Sequence, residues 1–142
     1  MSDVTPAPTR TVAEWLSYIE SLHPKAIAMG LERVQAVAKR LQLRYPFTVI
    51  TVGGTNGKGS TCAMLEQVYR NAGYQVGCYT SPHLVRYHER VRFNGVQISD
   101  ELLCAAFEAV EQARQEIPLT YFEIGTLAAL WAFEQQSLDV VV

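Results

Sequence analysis

The sequence has few cysteines, no long apolar run and little net charge, and each shortage excludes a class of protein. Its three cysteines are odd in number and widely spaced (Cys62, Cys78 and Cys104), which argues against a disulfide framework or zinc site and favours a reducing cytoplasm. The longest apolar run, residues 127–133, is too short to span a bilayer. Residues 1–10 are polar and contain proline, so we expect them to be disordered rather than a signal peptide.

The charge balance argues against two kinds of partner. The formal net charge is −2 over 142 residues, of which 49% are hydrophobic and 18% charged. Such a chain has no electrostatic footprint for nucleic acid or for an anionic membrane, and we expect neither as a partner. Its length leaves room for one domain with a hydrophobic core.

The first half of the chain predicts two helices and a βαβ unit. Apolar residues recur at helical spacing in residues 11–22 and 31–43, and β-branched residues fill 47–52, which is typical of a strand buried on both faces. A helix over 58–72 and a strand over 75–80 follow. The order predicts parallel strands with a right-handed crossover. The inward face of that helix is expected to carry the apolar residues Met64, Leu65, Val68 and Ala72.

The second half predicts a hairpin, two helices and a last strand. Residues 81–90 form an irregular loop, and the mixed charges of 86–92 are typical of a solvated face, with folding of some of these side chains over the site as the alternative. Asn94-Gly95 predicts a hairpin turn, and Ser99 and Thr120 stand where helix N-caps belong. Residues 138–142 are apolar without alternation, which predicts an interior parallel strand. The predicted fold is α/β of the P-loop type, a mostly parallel sheet with helices on both faces.

A glycine-rich segment between the first β-strand and its helix predicts a phosphate site. Four glycines occur within residues 53–59, together with Lys58, Ser60 and Thr61. Glycines let backbone N–H groups approach an anion, and the following helix adds the positive end of its dipole. Lys58 would reach the β- and γ-phosphates, and a hydroxyl would bind phosphate or magnesium. A plain glycine-rich turn is the alternative.

The general phosphate-loop pattern, G-x-x-x-x-G-K-[ST], fits imperfectly. Val52 occupies its first glycine and Gly59 its hydroxyl position. The pattern therefore supports phosphate binding without naming an enzyme.

These departures carry a resemblance to a known family. Residues 54–60 (Gly-Thr-Asn-Gly-Lys-Gly-Ser) resemble the ATP loop of the folylpolyglutamate synthase and dihydrofolate synthase family. Residues 79–84 with 89–91 resemble the family's loop after the second strand, and 119–123 resemble its folate-contacting stretch. The turn at residues 30–33, with 25–29 before it, is similar to its pterin-side loop. The resemblance covers residues 15–142.

The resemblance implies an ATP-dependent ligase. Its cofactors would be ATP and Mg²⁺, and its substrates dihydropteroate or a folate, with L-glutamate. ATP would phosphorylate a carboxylate of the pterin substrate, and the glutamate amine would displace phosphate. Lys58 is the implied catalytic residue. The implied ATP-binding residues are Gly54, Thr55, Asn56, Gly57, Lys58, Gly59, Ser60 and Thr61.

The same resemblance implies the metal and substrate contacts. Ser81, with Thr80 as the fallback, would bind magnesium, although a turn serine before proline has the same sequence. His83 and residues 120–123 would contact pterin or folate, although Thr120-x-x-Glu123 is also a capping box. The implied substrate contacts are Ala26, Ile27, Ala28, Met29, His83, Thr120, Tyr121, Phe122 and Glu123.

The resemblance also predicts that residues 1–142 are the N-terminal part of an ATP-binding domain. The family's C-terminal glutamate-binding domain would be absent. We expect this piece to be inactive alone and able to self-associate, and the full-length protein to be a cytoplasmic monomer. Two alternatives stay open: a ligase for a peptidoglycan precursor, and a phosphate-loop NTP-binding module without ligase activity.

Overall fold

The computed structural model describes residues 10–22 and 30–142, which form five α-helices, one 3-10 turn and five strands. The helices are α1 (Val12–Ser21), α2 (Glu32–Arg40), α3 (Lys58–Asn71), α4 (Asp100–Arg114) and α5 (Tyr121–Glu134). The strands are β1 (Thr48–Val49), β2 (Val76–Tyr79), β3 (Val91–Phe93), β4 (Val96–Gln97) and β5 (Val140–Val141), and the 3-10 turn is Tyr87–Arg90. The elements follow the predicted order with shorter bounds.

Two helices, α4 and α5, begin at the capping side chains that the sequence predicts, Ser99 and Thr120. Thr120 accepts a hydrogen bond from the backbone N–H of Glu123, whose carboxylate in turn accepts from the Thr120 N–H. Thr11 and Glu14 form the same capping box at α1, and Ser99 caps α4. Each cap satisfies N–H groups that the helix itself leaves without partners.

The sheet has the strand order β1-β5-β2-β3-β4. β5 pairs in parallel with both β1 and β2, whereas β2–β3 and β3–β4 are antiparallel. The α/β class and the interior parallel position of the last strand are therefore confirmed, and the five-stranded sheet of the described residues is mixed. Asn94 and Gly95 have φ angles of 51° and 81°, as the tight turn of the β3–β4 hairpin requires.

Helices cover both faces of the sheet, and β5 contributes to both cores. The larger core joins α1, α2, α4 and α5 to one face and includes Val141. The smaller core lies under α3 and includes Val140, Val142 and Cys78. Successive β5 side chains point to opposite faces, which explains why this strand is apolar throughout.

The predicted inward face of α3 is only partly correct, because Leu65 packs against the smaller core while the other three predicted residues are exposed. Met64 and Val68 are 66% and 56% exposed, and Ala72 is exposed as well, whereas the buried side chains of this helix are Cys62 and Glu66. The helix instead turns Glu66 toward the sheet, where it forms an ion pair with the partly buried Arg92 of β3. The apolar stripe 64/68/72 is therefore left in solvent.

Two further sequence expectations concern the first ten residues and membrane-spanning helices. Arg10, at the edge of the segment expected to be disordered, stacks on the rings of Trp15 and Tyr18 at 4.7 and 4.0 Å. Residues 1–9 lie outside the described residues. Within the described ranges, no helix has the length and apolar character needed to cross a membrane.

Candidate nucleotide and substrate site

The three parallel strands bring the predicted phosphate and metal residues to one edge of the sheet. β1 leads into residues 50–57, and β2 leads into Thr80 and Ser81. Both strands run parallel to β5, so their carboxyl ends share one edge. In open α/β sheets, ligands bind beyond that edge.

The glycine-rich loop presents an open helix start. Gly54 and Gly57 have φ angles of 144° and 77°, which favour glycine. α3 begins at Lys58 without a side-chain cap and without an acidic residue in its first turn. All the predicted ATP-binding residues, 54–61, are exposed. The arrangement suits an anion, since free N–H groups and the positive helix end face solvent.

The candidate metal residues offer neutral oxygen ligands. Ser81 is exposed, and the backbone N–H of Thr80 donates to the Arg90 carbonyl at 2.9 Å. In the described ranges, no group of three or more His, Cys, Asp or Glu side chains could hold a metal ion. A hydroxyl beside phosphates fits Mg²⁺, which retains waters and needs few protein ligands.

The loop after β2 is organised by Glu89. Its carboxylate accepts the backbone N–H groups of Leu84, Val85 and Arg86 at 2.8, 2.9 and 2.8 Å. These backbone hydrogen bonds lower the pKa of Glu89 to about 2, because they favour the charged form. Glu89, one of the charges interpreted as a solvated face, is half-buried and also orders this loop.

Arg90, from the same charged run, lies among aromatic rings. Its Nε donates to His83 Nδ1 at 2.8 Å, and its guanidinium lies 5.1 and 5.7 Å from the ring centroids of Tyr87 and Tyr121. Tyr87 is buried, and burial raises the pKa of its hydroxyl. This cluster brings together His83 and Tyr121, two of the predicted substrate contacts.

A second ring pair joins β2 to the start of α5. The Tyr79 and Phe122 rings lie 6.4 Å apart, and the Tyr79 and Thr126 hydroxyls are 3.1 Å apart. Phe122 is 51% exposed, so its ring offers an accessible apolar surface beside the cluster. Burial raises the pKa of the Tyr79 hydroxyl.

Glu123 forms two structural contacts. One carboxylate oxygen completes the capping box, and the other accepts from Arg33 Nη2 at 2.7 Å. The side chain is only 11% exposed. The capping role is confirmed, and substrate contact by Glu123 remains a prediction. The predicted contacts at residues 26–29 lie outside the described residues.

Sequence reasoning missed three residues that shape this site. Tyr87 and Arg90 hold the aromatic cluster together, and Arg33 joins α2 to α5. Arg90 stands within the family-like Glu89-Arg90-Val91 segment, and that was the available signal. Arg33 stands in the family-like turn at residues 30–33, but its partner Glu123 lies ninety positions away along the chain, so the turn did not indicate this contact.

Comparison with known proteins adds close relatives. No family model matches the chain. The dihydrofolate synthase/folylpolyglutamate synthase of Escherichia coli is 55% identical over 139 residues, which are 97% of this chain and 33% of that protein. The protein of the same description from Haemophilus influenzae is 51% identical over 135 residues, 94% of this chain and 31% of that one. The chain thus spans about a third of the length of these curated relatives.

Solved structures of such proteins match this chain over a similar share of their own length. The E. coli protein in complex with DHPP and ADP superposes with a TM-score of 0.90 at 55% identity, covering 96% of this chain and 33% of that one. The bifunctional folylpolyglutamate synthase/dihydrofolate synthase of Yersinia pestis, complexed with AMPPNP and Mn ion, gives 0.89 at 51% identity, covering 96% and 34%. The fold described above is shared with a third of each protein.

Proposed function

We propose, from the homology of this chain to part of the bacterial dihydrofolate synthase/folylpolyglutamate synthases, that it forms the ATP-binding portion of such a ligase. The reaction would attach L-glutamate to dihydropteroate and to folates. The observation that supports this most strongly is 55% identity across 97% of the chain, together with an open glycine loop at the strand-to-helix junction.

The chain's own residues would bind and neutralise the phosphates. Lys58 and the neighbouring residues 54–61 are exposed at the start of α3, which has no side-chain cap. The transferring phosphoryl group spreads negative charge over its oxygens, and fixed donors stabilise that charge without reorganisation. Transfer of the γ-phosphoryl group from ATP to a substrate carboxylate would release ADP and give an acyl phosphate. The amine of glutamate would then attack the acyl carbon, expel inorganic phosphate and lose a proton to form the amide. Ser81 would orient Mg²⁺ beside the phosphates, where the ion supplies charge neutralisation.

The pterin or folate would lie on the aromatic side of the site. Phe122 offers an exposed ring, and Tyr79 packs against it. Flat heteroaromatic rings favour offset stacking on such side chains. His83 and Tyr121 would complete this side, with Arg90 fixing both through its hydrogen bond and its position over the Tyr121 ring.

A titration with ATP tests the nucleotide assignment. Lys58→Ala should weaken ATP binding about tenfold or more, since a hydrogen bond to a charged group contributes about 1.5–3 kcal/mol. Its unfolding free energy should stay within about 0.5 kcal/mol of wild type, because the side chain is exposed. Lys39→Ala, on exposed α2 surface, is the matched control. Equal ATP affinity in wild type and Lys58→Ala would refute the phosphate-loop assignment.

A substrate panel separates the remaining possibilities. Glutamate-dependent ADP release by the full-length protein with dihydropteroate or folate supports the proposed ligase. ADP release with a peptidoglycan precursor alone would point to a ligase of that kind. ATP binding without any amino-acid-dependent turnover would point to an NTP-binding module. We propose a cytoplasmic location for the full-length protein.

The 142-residue chain is further proposed to pair with a second copy of itself. The outer edge of β1 has no strand partner in the described part of the chain, and Val49 on it is 50% exposed. The exposed Met64 and Val68 of α3 add an apolar stripe. Unpaired edges and exposed apolar surface both favour association.

A further inference from the structure

One partly buried arginine connects the elements that carry the two halves of the proposed ATP site. Arg92, on β3, donates through Nε and Nη2 to the two carboxylate oxygens of Glu66 at 3.4 and 3.3 Å. Its Nη1 donates to the backbone carbonyl of Glu89 at 3.2 Å. Nη2 also lies 3.3 Å from Cys78 Sγ. Three separate segments therefore meet at one side chain.

Each of these segments leads to the candidate site. Glu66 lies on α3, the helix that starts at Lys58. Cys78 lies on β2, which runs into Thr80 and Ser81. Glu89 holds the backbone of the loop that follows Ser81 through its bonds to three N–H groups. The position of α3 relative to the loop therefore depends on Arg92.

The contacts of Arg92 with Glu66 and with the Glu89 carbonyl require the planar, branched head group of an arginine. The side chain of Glu66 is 9% exposed and that of Arg92 23%, so the carboxylate needs a charged partner inside the protein. A planar guanidinium can face a carboxylate with two nitrogens and still donate a third bond elsewhere. A lysine ammonium would neutralise Glu66 without holding the Glu89 carbonyl in the same fixed orientation.

We propose that Arg92 is a positioning residue for the ATP site, which fixes the distance between the phosphate-binding start of α3 and the Ser81 loop. This proposal rests on the proposed function. Arg92 would thereby keep the nucleotide phosphates bound at α3 and the divalent cation bound at Ser81 at a fixed distance from each other. Arg92 itself touches neither ligand.

A paired apolar substitution separates positioning from stability. Replacing both members of a buried ion pair by apolar residues of similar size often preserves stability, so Arg92→Met with Glu66→Leu should fold while losing the link to Glu89. The matched control is Arg40→Met with Glu116→Leu. Arg40 likewise pairs with a glutamate, at 3.3 Å, and donates to backbone carbonyls, away from the site.

Two measurements decide the proposal. The first is ATP affinity with Mg²⁺ and with EDTA. The factor by which Mg²⁺ raises the ATP affinity should be about fivefold or more smaller in the Arg92/Glu66 variant than in wild type, a usual size for coupling between sites. In the control variant this factor should equal that of wild type. The second, without nucleotide, is amide exchange of Leu84, Val85 and Arg86, which should become faster in that variant only. Arg92→Lys should fold like wild type and show the same two losses in smaller degree.

The outcomes are distinguishable. Unchanged Mg²⁺ gain and unchanged amide exchange in a folded Arg92/Glu66 variant would reduce Arg92 to a structural ion pair and overturn the proposal. A variant that fails to fold leaves the decision to Arg92→Lys, whose wild-type behaviour in both measurements would overturn the proposal equally. Absence of ATP binding by the wild type would instead refute the proposed function, and the exchange data would still decide whether Arg92 holds the Ser81 loop.

Discussion

Glu89 and its three N–H donors determine the conformation of residues 84–86. The side chains of Leu84 and Val85 are 93% and 88% exposed, so packing contributes little to holding them. Their backbone is held instead by the Glu89 carboxylate. The order of this loop is therefore electrostatic in origin and depends on the charge of one residue.

Acid should release that loop. The pKa of Glu89 falls from 4.5 to about 2 on folding, so its contribution is complete above about pH 4.5, declines as pH falls, and is lost below about pH 2. The amide chemical shifts of Leu84, Val85 and Arg86 should titrate together toward a midpoint near pH 2, the pKa of Glu89 in the folded protein. Glu89→Gln should abolish the titration. Shifts that stay constant from pH 5 to pH 2, an interval set by the same linkage, would contradict this account.

Ser81 is expected to act through magnesium rather than through ATP. If its exposed hydroxyl binds the ion, Ser81→Ala should raise the Mg²⁺ concentration needed for half-maximal activity of the full-length protein more than it raises the ATP requirement. Ser137→Ala, at the start of the segment before β5, is the control. An unchanged Mg²⁺ dependence would leave Ser81 as a turn residue.

The thiol of Cys78 should be unreactive in the folded protein. It is 1% exposed, and burial raises its pKa to about 11. Because the thiolate is the nucleophile, alkylation near pH 8 should be very slow until the protein unfolds. Mass spectrometry of peptides after iodoacetamide treatment, with and without denaturant, measures this. Rapid native labelling of Cys78 would contradict the buried position of β2.

At the scale of elements, the start of α5 carries both a cap and an ion pair. Thr120→Ala should cost about 1 kcal/mol of unfolding free energy, the usual loss for an N-cap. Glu123→Ala should cost more, because it also removes the partner of Arg33 from a site that is 11% exposed. Urea unfolding measures both. Thr11→Ala, in the capping box of α1, is the control that measures the loss of unfolding free energy from a cap alone. If Glu123→Ala lowers the unfolding free energy no more than Thr120→Ala does, the contribution of the ion pair is contradicted.

The elements that the sequence predicted correctly are those specified by neighbouring residues. The cap of α5, the Asn94-Gly95 turn and the unbroken apolar β5 each depend on side chains within a few positions. The orientation of α3 could not be predicted this way, because it depends on the ion pair between Glu66 on the helix and Arg92 on β3, which are distant in sequence. The aromatic side of the site was partly predictable. Family-like residues indicated His83 and Phe122, whereas the contacts of Arg90 with His83 and two tyrosine rings required the fold.

At the scale of the whole molecule, the exposed stripe of α3 predicts association. Wild-type chain should show a mass above 15.9 kDa at high concentration, and Met64→Lys with Val68→Lys should restore the monomer. The double variant should fold normally, since both side chains are exposed. Light scattering after size exclusion gives the mass. Leu84→Lys with Val85→Lys is the control, and a wild type that stays monomeric at every concentration would contradict the prediction.

The central position of β5 has a consequence for how the chain folds. Thr48 pairs with Val140, and Val76 pairs with the same residue, so β1 and β2 are joined only after a late segment inserts between them. Pairings so distant in sequence slow folding, because a long loop must close before they stabilise anything. α4 and α5, neighbours in sequence, can pack much earlier. During refolding, helical signal should thus precede the recovery of ATP binding, since the framework of the phosphate loop is among the last parts to form.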